Sequence, residues 1–271
     1  MNTETAIRLG FFFGIFILVA VGEILAPRRP LTTSKASRWF ANLAIITLNP
    51  VSVRLVFPIL PTALAFAACE RHWGLLNHVP LPYWLEVAIG VMVLDFVIYI
   101  QHILFHAIPT LWRLHMMHHA DLDFDVTTGL RFHPLEIVIS MGIKLAAVAA
   151  LGPPALAVLI FEVALNGTAM FNHSNLRLPL ALDRLLRLLV VTPDMHRVHH
   201  SVIIRETNSN YGFNLPWWDR LFGTYKDQPQ LGHQAMTIGL AQFRDPKRLT
   251  LPRLIILPFV EEPGRVPINR H

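Results

Sequence analysis

Four long apolar runs constrain this chain more than any other feature. Ile7 to Ala26 is nearly all apolar and about 20 residues long, enough for a helix to cross the hydrocarbon core of a bilayer. A cleaved leader would want a basic start and a small-residue cleavage site. Here the start carries Glu4 with only Arg8, and the run ends in Pro27-Arg28-Arg29-Pro30, so the segment reads as a retained span. Phe40 to Ala68 is apolar but interrupted by Pro50, Arg54, Pro58 and Pro61. It reads as one kinked span with Arg54 turned toward protein, because charge at mid-membrane is costly; two half-helices are the alternative. Trp84 to Ala107 is a third span. Leu135 to Phe171 is too long for one crossing, and Gly152-Pro153-Pro154 divides it into a helical hairpin. The expected fold is all-α: an integral membrane helical bundle of about three spans plus a hairpin, with a cytoplasmic histidine-rich helical cap.

Composition agrees with this reading. The 271 residues are 53% hydrophobic and 15% charged, with a mean hydropathy of +0.45. A soluble domain usually carries about 25% charged residues. The net charge is +5 with histidines neutral. The basic residues flank the apolar runs, as beside lipid headgroups, and no basic patch is interleaved with aromatics, so nucleic acid is set aside. Cys69 is the single cysteine, which excludes an internal disulfide and any multi-thiolate metal site. No repeat or low-complexity tract breaks the chain, and residues 1–271 read as a single membrane-embedded domain.

Loop charge sets the orientation. Pro27 to Trp39 holds Arg28, Arg29, Lys35 and Arg38, whereas Cys69 to Pro82 holds only Arg71. The first loop is therefore cytoplasmic, the third span returns to the cytoplasm, and everything beyond His106 except the hairpin lies on that side. Arg177, Arg184, Arg187, Arg197, Arg205, Arg220 and Lys226 agree. Leu180 to Val191 alternates apolar residues and arginines at helical spacing, as in a helix lying along the interface. The glycosylation patterns Asn166-Gly-Thr168 and Asn172-His-Ser174 fall at the membrane or on the cytoplasmic side and are discounted.

The fourteen histidines carry the chemistry. His102 and His106 form H-x-x-x-H at the end of the third span, one helical turn apart on one face. His115-Met-Met-His118-His119 follows, and later His196-Arg-Val-His199-His200. Adjacent histidines on a helix diverge by about 100°, so the three of each H-x-x-H-H cannot face one point; such clusters feed two metals side by side. His173, in Phe171-Asn-His173-Ser-Asn, leaves the hairpin at the same face and reads as a ninth ligand. His133, in Arg131-Phe-His133-Pro-Leu-Glu136, divides evenly between a supporting role behind the ligands and a structural one. His72, His78, His233 and His271 lack partners in sequence and read as surface residues.

These motifs, in this order on an apolar scaffold, resemble the bacterial branch of the fatty acid hydroxylase superfamily, also called the sterol desaturase family. Trp112-Arg-Leu-His115, Arg131-Phe-His133-Pro-Leu-Glu136 and Asn210-Tyr-Gly-Phe-Asn-Leu-Pro-Trp-Trp-Asp219 extend the resemblance across roughly residues 84 to 226. The resemblance implies two irons, O2 as co-substrate, a lipid-like substrate hydroxylated or desaturated at a C–H bond, and an external donor such as a small cytochrome or ferredoxin. Some relatives carry a further H-x-x-x-H at the hairpin exit; here Ala169 stands four residues before His173, and a water or Asn166 would complete that site.

Apart from any resemblance, imidazole suits iron, zinc, copper and nickel. Zinc sites usually take three or four protein ligands, so eight or nine histidines fit two metals with open positions. Ligating imidazoles donate their other N–H to carboxylates or carbonyls, and Asp95, Asp121 and Asp194 stand near the clusters within the histidine region 95–226. No G-x-G-x-x-G fingerprint is present, so electrons must come from outside, with Arg197, Arg205 and Arg220 available to attract an acidic donor. The competing functions are a metal-dependent membrane hydrolase or another non-redox lipid-modifying enzyme, and a haem electron carrier. A bis-histidine haem needs only two separated histidines and has no use for adjacent doublets.

Overall fold

The computed structural model describes residues 3–266. The helices are α1 (Thr3–Leu25), α2 (Lys35–Val56), α3 (Pro61–Glu70), α4 (Tyr83–Ala107), α5 (Pro109–His119), α6 (Pro134–Leu151) and α7 (Ala155–Asn172). Shorter helices follow: α8 (Leu180–Leu186), α9 (Pro193–His199), α10 (Ile204–Thr207), α11 (Trp217–Leu221), α12 (Gly232–Ala235) and α13 (Leu251–Val260). Among the described residues the only strand-like pairings are two isolated bridges, Pro27 with Leu176 and Ser201 with Ile238. Five helical segments are long and apolar enough to cross a membrane: α1, the α2–α3 stretch, α4, α6 and α7. This is the bundle of three spans and a hairpin, an all-α membrane protein.

The second span departs from expectation in detail. Pro50 is accommodated inside α2, and the break comes where Phe57 precedes Pro58, since the residue before a proline avoids helical geometry. Pro61 then opens α3 at its first turn, where its missing N–H costs nothing. The segment is therefore two helices, and Arg54 is exposed rather than facing protein. The 22 residues of α2 reach about 33 Å at 1.5 Å per residue, so Arg54 lies at the far end of that helix and not at its middle.

Local chemistry sets the hairpin. Pro134 begins α6, and the His133 side chain accepts from Leu135 N as its N-cap. Gly152 ends α6 in left-handed geometry, φ +64°, before Pro153-Pro154. A Cβ there would also stand 2.4 Å from Trp73 O, so the turn demands glycine twice over. Gly90 lets α4 approach Ala157 on α7, and Leu94, Ile98, Val158 and Phe161 fill the seam between them. Phe11, Phe13, Leu18 and Ile24 of α1 stay exposed, as a lipid-facing surface requires.

The cap is tied to the loop that joins α1 and α2. Arg28 reaches Asp194 at 3.0 Å, Arg38 clamps Asp121 at 2.7 Å and Asp125 at 2.5 Å, and Asp123 accepts from the backbone of Thr32 and Thr33. Arg28 and Arg38, two of the four cations between Pro27 and Trp39, thus neutralise cap carboxylates, and Arg29 holds the carbonyls of His233 and Met236, which places the first loop and the histidine motifs at one end of the bundle. Leu180, Leu182 and Leu185 of α8 are exposed, while Asp183 and Arg187 pair inward at 2.7 Å.

Candidate metal centre

Four chain segments deliver nine histidines to one buried space. His102 and His106 occupy the last two turns of α4. Pro109 starts α5 immediately beyond, and that helix ends on His115, His118 and His119. His173 caps the C-terminus of α7. Thr192 accepts from Met195 N to start α9, which carries His196 and His199, with His200 as its cap. All nine are at most 2% exposed, a depth at which imidazoles need partners.

Their ligand atoms fall into two sets, each with all members within 4.8 Å of one another. One holds His102, His106, His115, His119 and His199; the other holds His118, His173, His196 and His200. The adjacent pairs His118/His119 and His199/His200 are split between the sets, as helical divergence predicts. The sets adjoin: the rings of His119 and His200 stack with centroids 4.5 Å apart.

Tautomers decide what these sets can hold. Carbonyl oxygens only accept, so His102 Nδ1 donates to Tyr211 O at 2.8 Å, His173 Nδ1 to Ala169 O at 2.7 Å and His199 Nδ1 to Ser209 O at 2.7 Å. Asn208 Nδ2 donates to Val266 O, which leaves its Oδ1 to accept from His106 Nδ1 at 3.2 Å. Glu136 Oε1 accepts from His115 Nδ1 at 2.7 Å. In all five rings Nε2 is therefore a bare lone pair. Yet His102 and His115 bring these nitrogens to 3.1 Å of each other, and His173 Nε2 stands 3.0 Å from His118 Nε2 and 3.1 Å from His196 Nε2. Between His102 and His115 two lone pairs so placed repel unless a cation lies between them, and the bare Nε2 of His173 faces His118 and His196 at a spacing that suits a shared ion. Two nitrogens each about 2.1 Å from one ion at right angles stand about 3 Å apart. Burial pushes His115 and His173 down to about 3, and His118, His119, His196, His199 and His200 well below the ordinary range, so these rings are neutral and free to ligate at neutral pH. The donor set fits two histidine-held metal ions.

The expected supporting residues are placed elsewhere. Asp95 accepts from Trp218 Nε1 at 2.8 Å and anchors α11 to α4. Asp121 serves Arg38 and Thr128. Asp194 serves Arg28 and Arg197. Asn166 turns its amide to Glu162 O at 2.8 Å and lines a cavity beside the histidines. His133 caps α6 and points Nε2 at Ile255 O, 3.0 Å away, in the structural role. His233, read as a surface residue, is buried 3.6 Å from Asp194, and burial pushes it down to about 3. His72 and His78 are exposed; His271 lies outside the described residues.

Sequence reasoning missed the groups that do orient the rings. Glu136 was legible as part of Arg131-Phe-His133-Pro-Leu-Glu136, but not as the partner of His115. Tyr211, Asn208 and Ser209 act from one loop. Asp219 shapes it by accepting from Tyr211 N and Gly212 N, both at 2.8 Å, which aims Tyr211 O at His102. Gly129 allows the backbone to pass Ala169 O, where a Cβ would sit 2.4 Å away.

Residues 87–224 match the family profile described as Fatty acid hydroxylase, and all nine clustered histidines lie within that span. The chain is similar to an ornithine lipid hydroxylase, OlsE, of Rhizobium tropici, with 27% identity over 222 residues, 79% of this chain and 65% of that protein. It is also similar to alkylglycerol monooxygenase of Homo sapiens, with 30% identity over 148 residues, 53% of this chain and 30% of that protein. The Xenopus tropicalis alkylglycerol monooxygenase gives 31% over 151 residues, 54% of this chain and 31% of that protein. The chain thus spans just under two thirds of the first relative and about a third of the other two. No solved structure matches it.

Proposed function

The chain belongs to the fatty acid hydroxylase family, and from that premise we propose that it is a membrane-bound non-haem di-iron oxygenase acting on a C–H bond of a lipid-like or sterol-like substrate with O2. The observation that carries this is the pair of interlocked histidine sets whose ring nitrogens converge. His102, His106, His115, His119 and His199 would hold one iron, and His118, His173, His196 and His200 the other. Bound there, the two irons would supply O2 reduction and removal of hydrogen from the substrate carbon, either hydroxylating or desaturating it.

The chain's own residues do the rest. Glu136 and the carbonyls of Tyr211, Ala169 and Ser209 lock the imidazole orientations, which makes the ligands more basic and keeps Nε2 aimed inward. A cavity of about 130 Å³ reaches His102 and His115 between α2, α4, α6 and α7, walled by Ile98, Phe105, Phe132 and Phe213. It opens among the membrane-spanning helices and so suits a lipid chain. Electrons would come from a small cytochrome or ferredoxin on the cap surface. Arg205 and Arg220 are exposed there, but Arg197 is buried against Asp194 and cannot meet a partner. We read residues 1–271 as one domain, with the histidine region at 95–226, in the bacterial inner membrane and with its metal end in the cytoplasm.

Lipids from iron-replete cells with and without the protein test the activity: one species should gain an oxygen or lose two hydrogens, and identical lipid profiles would contradict it. Cys69, exposed at the end of α3, tests the orientation. Impermeant thiol reagents are expected to label it from the non-cytoplasmic side alone, and labelling only from the cytoplasmic side would reverse the assignment.

A further inference from the structure

The short helix α11 lies against the middle of α4. Trp218 Nε1 donates to Asp95 Oδ2 at 2.8 Å, and the Phe96 ring stands 4.8 Å from Trp218 and 5.7 Å from Phe222. Asp95 is halfway along the 25 residues of α4, about 18 Å from either end. Exposed Tyr83 and Trp84 open that helix, where an aromatic belt marks a membrane boundary. A hydrocarbon core about 30 Å thick reaches from that belt to the last turn of α4. Asp95, and α11 beside it, therefore fall at the depth of acyl chains.

The outer side of α11 suits that depth. Trp217, Leu221 and Phe222 are exposed, Leu221 at 70%. Trp217 Nε1 donates to Leu188 O at 2.5 Å and so joins α11 to the end of α8, where Leu185, Leu188 and Leu189 are exposed as well. An apolar face of this size is an interaction surface. The charges around it have one sign. Arg177, Arg184 and Arg220 are exposed, and Arg184 has no carboxylate partner among the described residues. Asp183 and Asp219 are buried, and exposed Asp227 answers Arg187 at 2.9 Å.

We propose that α8 and α11 form a wedge seated in the leaflet on the histidine side, with their apolar side chains among acyl chains and with Arg177 and Arg184 on the headgroups of anionic phospholipids. Cations beside an apolar helix face bind anionic leaflets in this way, and arginine is long enough to carry its charge up to the phosphates. His102 is seven residues beyond Asp95, about 10 Å along α4, so the wedge sets the histidine sets at the level where acyl chains meet headgroups. The wedge depends on neither the metals nor the reaction.

The test uses the full chain in nanodiscs of phosphatidylcholine and phosphatidylglycerol. Cys69→Ser removes the single cysteine, and bimane is attached at Leu185→Cys, at Leu221→Cys or, as an aqueous reference, at exposed Ala241→Cys. Doxyl groups on lipid acyl chains are expected to quench the label at 185 and 221, and quenching by iodide in water is expected to be lost there and strong at 241. Doxyl-phosphatidylglycerol is expected to quench the label at 185 more than doxyl-phosphatidylcholine does. Removing the two cations together, Arg177→Gln with Arg184→Gln, is expected to weaken that preference by up to about fivefold for each cation. Iodide quenching at 185 and 221 equal to that at 241 overturns the wedge. Shielding from iodide and lipid alike gives the face to a protein partner, a second copy included, and overturns it too. Equal quenching by the two lipids, or a preference that survives loss of both arginines, overturns the headgroup assignment. No metal or product is read, so a failure here is separable from failure of the oxygenase reading, which would appear as unchanged cellular lipids.

Discussion

Replacing His173 by alanine is expected to abolish turnover and to remove one of the two metal ions proposed above. His173 is the hub of the smaller set: its Nε2 lies 3.0 Å from that of His118 and 3.1 Å from that of His196. The ring is aimed there by its hydrogen bond to Ala169 O at 2.7 Å. With a histidine also lacking at position 169, this set has four members against five in its neighbour, and losing one leaves three. The larger set is untouched, so one metal should stay while the proposed two-metal reaction stops. Supporting groups alone are worth about 10- to 100-fold in metal affinity or activity, and a ligand is worth more. His78→Ala is the control. That side chain is exposed and away from the cluster, and surface changes rarely exceed about 0.5 kcal/mol, so activity should stay within about threefold. Full metal content and full turnover in His173→Ala would remove this residue from the centre.

The second large effect is on stability. Asp121→Ala is expected to cost about 3–5 kcal/mol, read as a lower unfolding midpoint in detergent or as failure to accumulate. Asp121 is 1% exposed and receives two hydrogen bonds from Arg38, at 2.7 and 2.8 Å, and one from Thr128 at 2.9 Å. Its loss leaves Arg38 with Asp125 and deprives buried Arg131 of a nearby counter-charge. Burial alone would raise the Asp121 carboxyl, but Arg38 and Arg131 outweigh it and hold the group well below the usual carboxylate range. The stability it contributes is therefore fully present above about pH 4, the unfolded value, and is lost as pH falls toward the lower folded value. Asp121→Asn keeps the shape without the charge and should fall between the two. An unchanged midpoint in Asp121→Ala would contradict this account of how the cap is fastened to α2.

The helices and the histidine sets were legible in sequence because both depend on local spacing. A run of about 20 apolar residues has few fates, and H-x-x-H-H on a helix has to face two ways. Pairings across the fold were not legible. Asp121 stands two residues after His119, but α5 has ended at Ala120 and the carboxylate turns to Arg38, 83 positions away. Asp194 precedes His196 by two yet pairs across the fold with Arg28. The true partner of His115 is Glu136, 21 residues on, and only the packing of α5 against α6 brings them together. His133 had a local signal, a residue directly before a helix-opening proline, and that signal decides its capping role. His233 shows no period and no motif; tertiary folding buries it beside Asp194. Arg54 was misplaced because the run was read as one kinked span, which puts it at mid-membrane; the break at Phe57-Pro58 makes two helices and leaves Arg54 near the end of α2.

The central claim is that the two histidine sets hold two irons, and the most direct measurement is iron per chain in protein purified from iron-replete cells, alongside His102→Ala and His196→Ala. About two irons are expected in the unaltered protein and about one in His196→Ala, whose set falls to three histidines, whereas His102→Ala still has four in its set and should keep more iron than His196→Ala. A stoichiometry near one that His196→Ala leaves unchanged would contradict it.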